Sequence, residues 1–156
     1  MLEAKIIRVA KKSTFISSIF AIPKANNKAR EIIDYSHLTP HFKKPDMFLP
    51  SIFQVVESKE WADDLHYVKV NFRHAFHYIN VKESSKYVTT FKYSGKYYEF
   101  NYLPFGISIA PFECQRFVNA ITRTIKRMTP YTWGHIDDIL IAHNSKTVLK
   151  TIVKVN

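Results

Sequence analysis

The sequence predicts an α+β fold in which antiparallel strands and packed helices are mixed. Three observations predict it. Short apolar runs are separated by polar turns, a hairpin signature centres on Ser94-Gly95, and a long helical repeat follows Pro111.

Residues 18 to 23, SIFAIP, and 31 to 35, EIIDY, read as two strands joined by the polar turn KANNKAR, residues 24 to 30. Pro50 opens a predicted helix, PSIFQVVESKEW, because proline suits a first helical position. LHYVKVNF, residues 65 to 72, alternates as a strand does. KYVTTFKYSGKYYEFNYL, residues 86 to 103, is the clearest hairpin. Cys114, Phe117, Val118, Ile121, Ile125 and Met128 then recur at helical spacing until Pro130, and Arg116, Arg123 and Arg127 share another stripe. YTWGHIDDILIAH, residues 131 to 143, reads as strand, tight turn, strand, with Asp137 and Asp138 at the tip. SKTVLKTIVKVN predicts one more helix.

At 156 residues, 46% apolar and 23% charged, the chain reads as one globular domain with a sizeable core. A net charge of +10, from 23 Lys and Arg against 13 Asp and Glu, favours polyanionic partners. Nucleic acid comes first among these and anionic membrane surfaces second. Cys114 stands alone, which excludes an internal disulfide and a cysteine-cluster zinc site. The N-terminus has no secretory pattern, and no apolar run approaches the roughly 20 residues that span a bilayer. These features predict a soluble, intracellular protein without a membrane partner. Only three glycines occur, and none belongs to a phosphate-cradling loop.

Asp137 and Asp138 are adjacent. Two carboxylates about 4 Å apart repel by roughly 4 kcal/mol at an effective dielectric of 20. In a regular strand they would face opposite ways, but at a turn both can converge. A divalent cation there would turn repulsion into attraction, and Mg²⁺ or Mn²⁺ suits carboxylates better than zinc. Taken alone, the pair reads more readily as polar turn residues.

LPFGISIAPFECQRFVNAI, residues 103 to 121, followed by HIDDILIAH, residues 135 to 143, resembles the reverse transcriptases of retroelements. Members of that family carry an LPFG…P…FQ segment and then a YxDD or VDD hairpin. LHYVKVNFRHAFHYINV is similar to the family's LD…AF…I segment. SIFAIPKANNKAREIIDYSHLTP resembles its first fingers segment, and DMFLPSIFQVV its D..PLP.I stretch. The ordered blocks cover about residues 2 to 145, and the LTR-retrotransposon and pararetrovirus branches look most similar.

The resemblance implies fingers and a palm with an antiparallel sheet and packed helices. It places residues of about 1 to 60 mostly in the fingers, and about 61 to 145 mostly in the palm, with a fingers hairpin near 86 to 101. Residues 146 to 156 would form a truncated tail, with the thumb absent. It implies RNA-directed DNA polymerase activity on RNA or DNA template-primer with deoxynucleoside triphosphates, through two Mg²⁺ (or Mn²⁺) ions. Asp137 and Asp138 match the metal-binding pair. Lys24 and Arg30 align with residues that meet the triphosphate, and Phe76 matches the aromatic that crowds a ribose 2′-hydroxyl. Phe105 and Gln115 match positions lining the nucleotide and template side.

The pattern breaks at the third metal ligand. Where the family has an aspartate, KVNFRHAF has Asn71, and Asp63 and Asp64 lie too far upstream to replace it. An amide supplies no charge, and Mg²⁺ tolerates poor geometry badly, so polymerase activity is expected to be impaired. The alternative is a non-enzymatic nucleic-acid-binding remnant or a decayed copy without function. Among the histidines, His74 and His77 fall three apart on a predicted helix, with no ligands placed to complete a zinc site. Cys114, on the apolar side of its helix, is expected to be a small core residue.

Overall fold

A computed structural model of the chain describes residues 1–24, 28–43, 45, 49 and 64–154, with Lys24, Lys28 and Arg30 described as backbone only. The helix predicted to open at Pro50 lies outside the described residues, as does Asp63. The chain divides into two compact units, Met1–Pro45 with Phe76–Ala110, and Asp46–Ala75 with Pro111–Asn156.

In the first unit, β2 (Ser18–Lys24) and β3 (Lys28–Asp34) pair antiparallel, with Ser18 opposite Asp34 and Lys24 opposite Lys28. Both strands run further into KANNKAR than the turn residues predict. A second sheet has the order β1-β6-β5, built from Ile7–Ala10 (β1), Phe91–Tyr93 (β5) and Lys96–Phe100 (β6). Strand β1 was not predicted, being only four residues long and flanked by lysines. Ser94 and Gly95 form the β5–β6 turn with φ of 47° and 77°, the doubly positive pair that a two-residue type I′ hairpin needs.

The strand expected from Lys86 onward begins only at Phe91, because Glu83–Thr89 winds into a 3₁₀ helix. Thr89 explains the difference. Its hydroxyl donates to the Lys86 carbonyl at 2.7 Å and accepts the Phe100 N–H at 2.9 Å, satisfying backbone groups away from the ladder. The unit closes over Ile7, Ile33, Tyr35, Leu38, Phe91 and Phe100. Tyr35 is 1% exposed, donates to the Thr89 carbonyl at 3.1 Å, and has its phenol pKa raised by burial. Gly106, the glycine of LPFG, sits at φ 95°, where a Cβ would lie 2.8 Å from the Ile33 carbonyl oxygen.

The second unit is a sheet of order β4-β8-β7, comprising His66–Asn71 (β4), Thr132–His135 (β7) and Asp138–His143 (β8). Helices α1 (Ala110–Ile125) and α2 (Lys146–Val153) accompany it. Alternation along β4 and β8 sends Val68, Val70, Ile139 and Ile141 into a core with Val118, Ile121, Leu149 and Ile152. The α1 stripe is buried as its spacing predicts, with Cys114 and Val118 at 0% exposure. The stripe ends early. The helix stops at Ile125, so Met128 is 49% exposed and Arg127 lies beyond the helix that carries Arg116 and Arg123.

The helix expected after Phe72 is a single 3₁₀ turn, Ala75–Tyr78, entered through His74 at φ 59°. The two histidines therefore do not share an α-helical face. Among the described residues, no helix is long and apolar enough to cross a membrane.

Candidate active site at the β7–β8 turn

The carboxylate pair is placed by register. Strand β8 pairs with β4 from His66 opposite His143 to Asn71 opposite Asp138, and with β7 up to His135 opposite Asp138. Only Ile136 and Asp137 remain for the turn, so Asp138 opens the returning strand while Asp137 occupies the tip. The Phe72 N–H donates to the Asp137 carbonyl at 2.7 Å, extending the pairing one step past β4.

Side chains at i and i+2 of a strand share a face, and directly opposed residues share it too. Lys69, Asn71 and Asp138 therefore meet. The Asn71 amide Nδ2 donates to Asp138 Oδ1 at 2.8 Å, and Lys69 Nζ lies 2.9 Å from Asp138 Oδ2. Both oxygens of one carboxylate are thus engaged by donors. Burial pushes the Asp138 pKa up, but the Asn71 amide and Lys69 ammonium outweigh it and leave the group below its ordinary value. The Lys69 pKa is raised in turn, first by its hydrogen bond to Asp138 and with a smaller contribution from Asp137. Lys69 is not among the site residues the sequence predicts, although its place two residues before Asn71 in an alternating strand is a readable signal.

The turn is braced from below. Gln115 is 0% exposed, and its Oε1 accepts the Ile136 N–H at 2.8 Å. Its Nε2 donates to the Gly134 carbonyl and to Asn119 Oδ1, each at 2.8 Å. These partners fix which end of the amide is which. Gln115, expected on the nucleotide and template side, instead faces inward, because β7 lies directly against α1. Gly134 permits that approach, since a Cβ there would run into Val118 Cγ1 and lie 2.8 Å from Thr122 Cγ2. Cys114 is the buried small residue its spacing predicts, and its thiol also donates to the Ile136 carbonyl at 3.2 Å. Burial, and next the Asp137 charge, push that thiol up to about 11.

The other predicted residues belong to the first unit. Phe76 packs on Phe105 with ring centroids 4.5 Å apart, and His77 meets Phe105 edge-on at 5.8 Å. Phe76 is half-buried on the core while Phe105 is 50% exposed. Arg30 stands opposite Ile22, and Lys24 opposite Lys28 two rungs further along the β2–β3 ribbon; the side chains of Lys24 and Arg30 lie outside the described residues.

Asp137 and Asp138 can supply oxygen ligands to one divalent cation, with Asn71 contributing a neutral oxygen if its amide turns over. Among the described residues, no group of three His, Cys, Asp or Glu side chains gathers to hold a metal.

Residues 21–155 match the family model described as reverse transcriptase (RNA-dependent DNA polymerase). The chain belongs to that family. The Transposon Tf2-7 and Tf2-3 polyproteins of Schizosaccharomyces pombe (strain 972 / ATCC 24843) are each 28% identical to it over 146 residues, 94% of this chain and 11% of theirs. The chain thus spans about a tenth of the length of these curated relatives. Foamy viral protease-reverse transcriptase in complex with RNA/DNA hybrid superposes with a TM-score of 0.82 at 17% identity, covering 99% of this chain and 20% of that one. The same viral protein in complex with dsDNA gives 0.82 at 18% identity, covering 98% and 32%. These likenesses support the α+β reverse-transcriptase fold and the retroelement branch.

Proposed function

We propose that this chain is the fingers-and-palm portion of an RNA-directed DNA polymerase from an LTR-type retroelement, and that its catalytic power is impaired as it stands. The observation that carries the reading is the hydrogen bond from Asn71 to Asp138. At the strand position where the family sequence pattern has a third aspartate, this chain offers an N–H donor.

In this reading the β4-β8-β7 sheet belongs to the palm, and the β2–β3 and β5–β6 hairpins belong to the fingers. The foamy viral neighbours, solved with dsDNA and with RNA/DNA hybrid, support an RNA or DNA template-primer as the partner. The net charge of +10 agrees with such a polyanion. Asp137 and Asp138 would hold Mg²⁺ or Mn²⁺. A divalent ion there supplies Lewis-acid stabilisation of phosphate charge and eases ionisation of an attacking hydroxyl. Phe76, backed by Phe105, would crowd the 2′ position of a ribose and so select deoxynucleotides. Lys24 and Arg30 would meet the triphosphate, the guanidinium by its bidentate fork. Lys69 must leave Asp138 before a cation can take both carboxylates, which lowers affinity further. An intracellular setting suits this reading, because nucleic acid and triphosphates are available there.

The engaged state of Asp138 also favours a second reading, a nucleic-acid-binding remnant without synthesis. Primer extension on an RNA template, with Mg²⁺ or Mn²⁺, separates them by comparing this chain with Asn71→Asp. Extension that rises on the order of 10- to 100-fold or more in Asn71→Asp supports the impaired polymerase. Equal, robust extension by both proteins refutes the role given to Asn71. Salt-sensitive template-primer binding with no extension from either protein favours the remnant.

A further inference from the structure

Ile136 is the least comfortable residue of the site. It is β-branched, yet its φ is 54°, a region that glycine enters freely and isoleucine rarely does. A two-residue hairpin asks for such a φ, and sequences normally answer with Gly, Asn or Asp. Strain of this kind persists only where the surroundings over-determine it.

The surroundings here are two consecutive residues of α1. Gln115 takes the Ile136 N–H at 2.8 Å, and Cys114 donates its thiol proton to the Ile136 carbonyl at 3.2 Å. Both polar backbone groups of the strained residue are therefore held by one helix. The Gln115 amide is itself locked, its two hydrogens going to the Gly134 carbonyl and Asn119 Oδ1. The Ile136 carbonyl belongs to the peptide that leads into Asp137, so its orientation sets where the Asp137 side chain starts.

From this geometry we infer that Gln115 and Cys114 are positioning residues for the carboxylate pair. Helix α1 holds the turn in a conformation that the turn's own residues disfavour, and Asp137 and Asp138 inherit their placement from it. The value of that placement rests on the metal-site reading proposed above.

The test compares four variants of the full chain by amide hydrogen exchange at Ile136, Mn²⁺ binding without nucleotide or template, and thermal melting. Gln115→Met keeps the volume and removes the amide. Its Ile136 amide should exchange at least about tenfold faster relative to the β8 amides, and Mn²⁺ affinity should fall about tenfold. Cys114→Ala should move both readouts the same way by less, and Cys114→Ser, which keeps a donor, should return them toward the parent. Val118→Ala removes core volume from the same helix without touching the turn, so it should lower the melting temperature while leaving both readouts in place. If Gln115→Met does not fold, the Cys114 pair decides alone.

A Gln115→Met protein whose melting temperature drops while Ile136 exchange and Mn²⁺ affinity stay parental overturns the inference. So does a Cys114→Ala protein identical to the parent in both, should that pair be deciding. If the parent takes no Mn²⁺, the metal-site reading falls, and exchange at Ile136 decides the brace by itself.

Discussion

Asn71→Asp tests the carboxylate site without requiring any activity. In the parent, the amide donates to Asp138 at 2.8 Å across directly opposed residues of β4 and β8. The substitution removes a hydrogen bond to a charged group, about 1.5 kcal/mol at the lower end for that class. It also sets two carboxylates face to face, a cross-strand arrangement that costs up to about 1 kcal/mol. The sum is about 2 kcal/mol. In a chain of this size each 1 kcal/mol moves the melting temperature by roughly 2–4 °C, so Asn71→Asp should melt about 4–8 °C lower in EDTA. Mg²⁺ or Mn²⁺ should recover most of that loss, because a cation bound only by the folded state stabilises it by mass action. The parent should respond weakly to either ion. The reasoning is refuted if Asn71→Asp melts with the parent in EDTA, or if millimolar divalent ion leaves its deficit unchanged.

Three further outcomes follow from particular contacts. Gly134→Ala drives a Cβ into Val118 and Thr122 and should cost about 1–3 kcal/mol in chemical denaturation, with a parental midpoint arguing against the close α1–β7 approach. Ile136→Gly relieves a positive φ whose strain is about 1–3 kcal/mol against a glycine entropy cost of roughly 0.5–1, so a modestly higher melting temperature is expected, and a lower one would show that the isoleucine side chain matters more. Glu83, held by Arg8 and then by Lys86, has its pKa lowered to about 2 from 4.5. A carboxyl depressed on folding contributes above its unfolded pKa and loses that contribution as pH falls through the folded one. The melting-temperature gap between parent and Glu83→Gln should therefore close between about pH 5 and pH 2, and a gap that persists at pH 2 would contradict the ion-pair account.

Local chemistry explains which parts of this molecule could be read directly. The Ser94-Gly95 turn, the α1 stripe and the strand around Val68 and Val70 each carry their pattern within a few residues. Opposition of Asn71 and Asp138 was legible as well, because alternation fixes facing once the two strands are paired. The same rule places Lys69 on that face. The 3₁₀ segment at Glu83–Thr89 was not legible, since Thr89 diverts the backbone through contacts with Phe100, eleven residues away. Gln115 shows the deeper limit. A polar residue beside a cysteine on an amphipathic helix reads equally as ligand-facing or buried, and the choice is made by a glycine in another element. Ile136 gave no local warning, because isoleucine belongs in strands and only the two-residue connection forces its φ positive.

The pairing of β4 with β8 is a ruler with six marks, running from His66 to Asn71 against His143 to Asp138. Sliding it by one residue would reverse which side of the sheet every side chain occupies. Such a slip of β4 would carry Val68 and Val70 out into water and bring Lys69 into the interior. The hydrocarbon that keeps water out of this unit is thus also what keeps its polar tip in phase. Insertions or deletions inside either strand should be tolerated far less than substitutions at the tip itself.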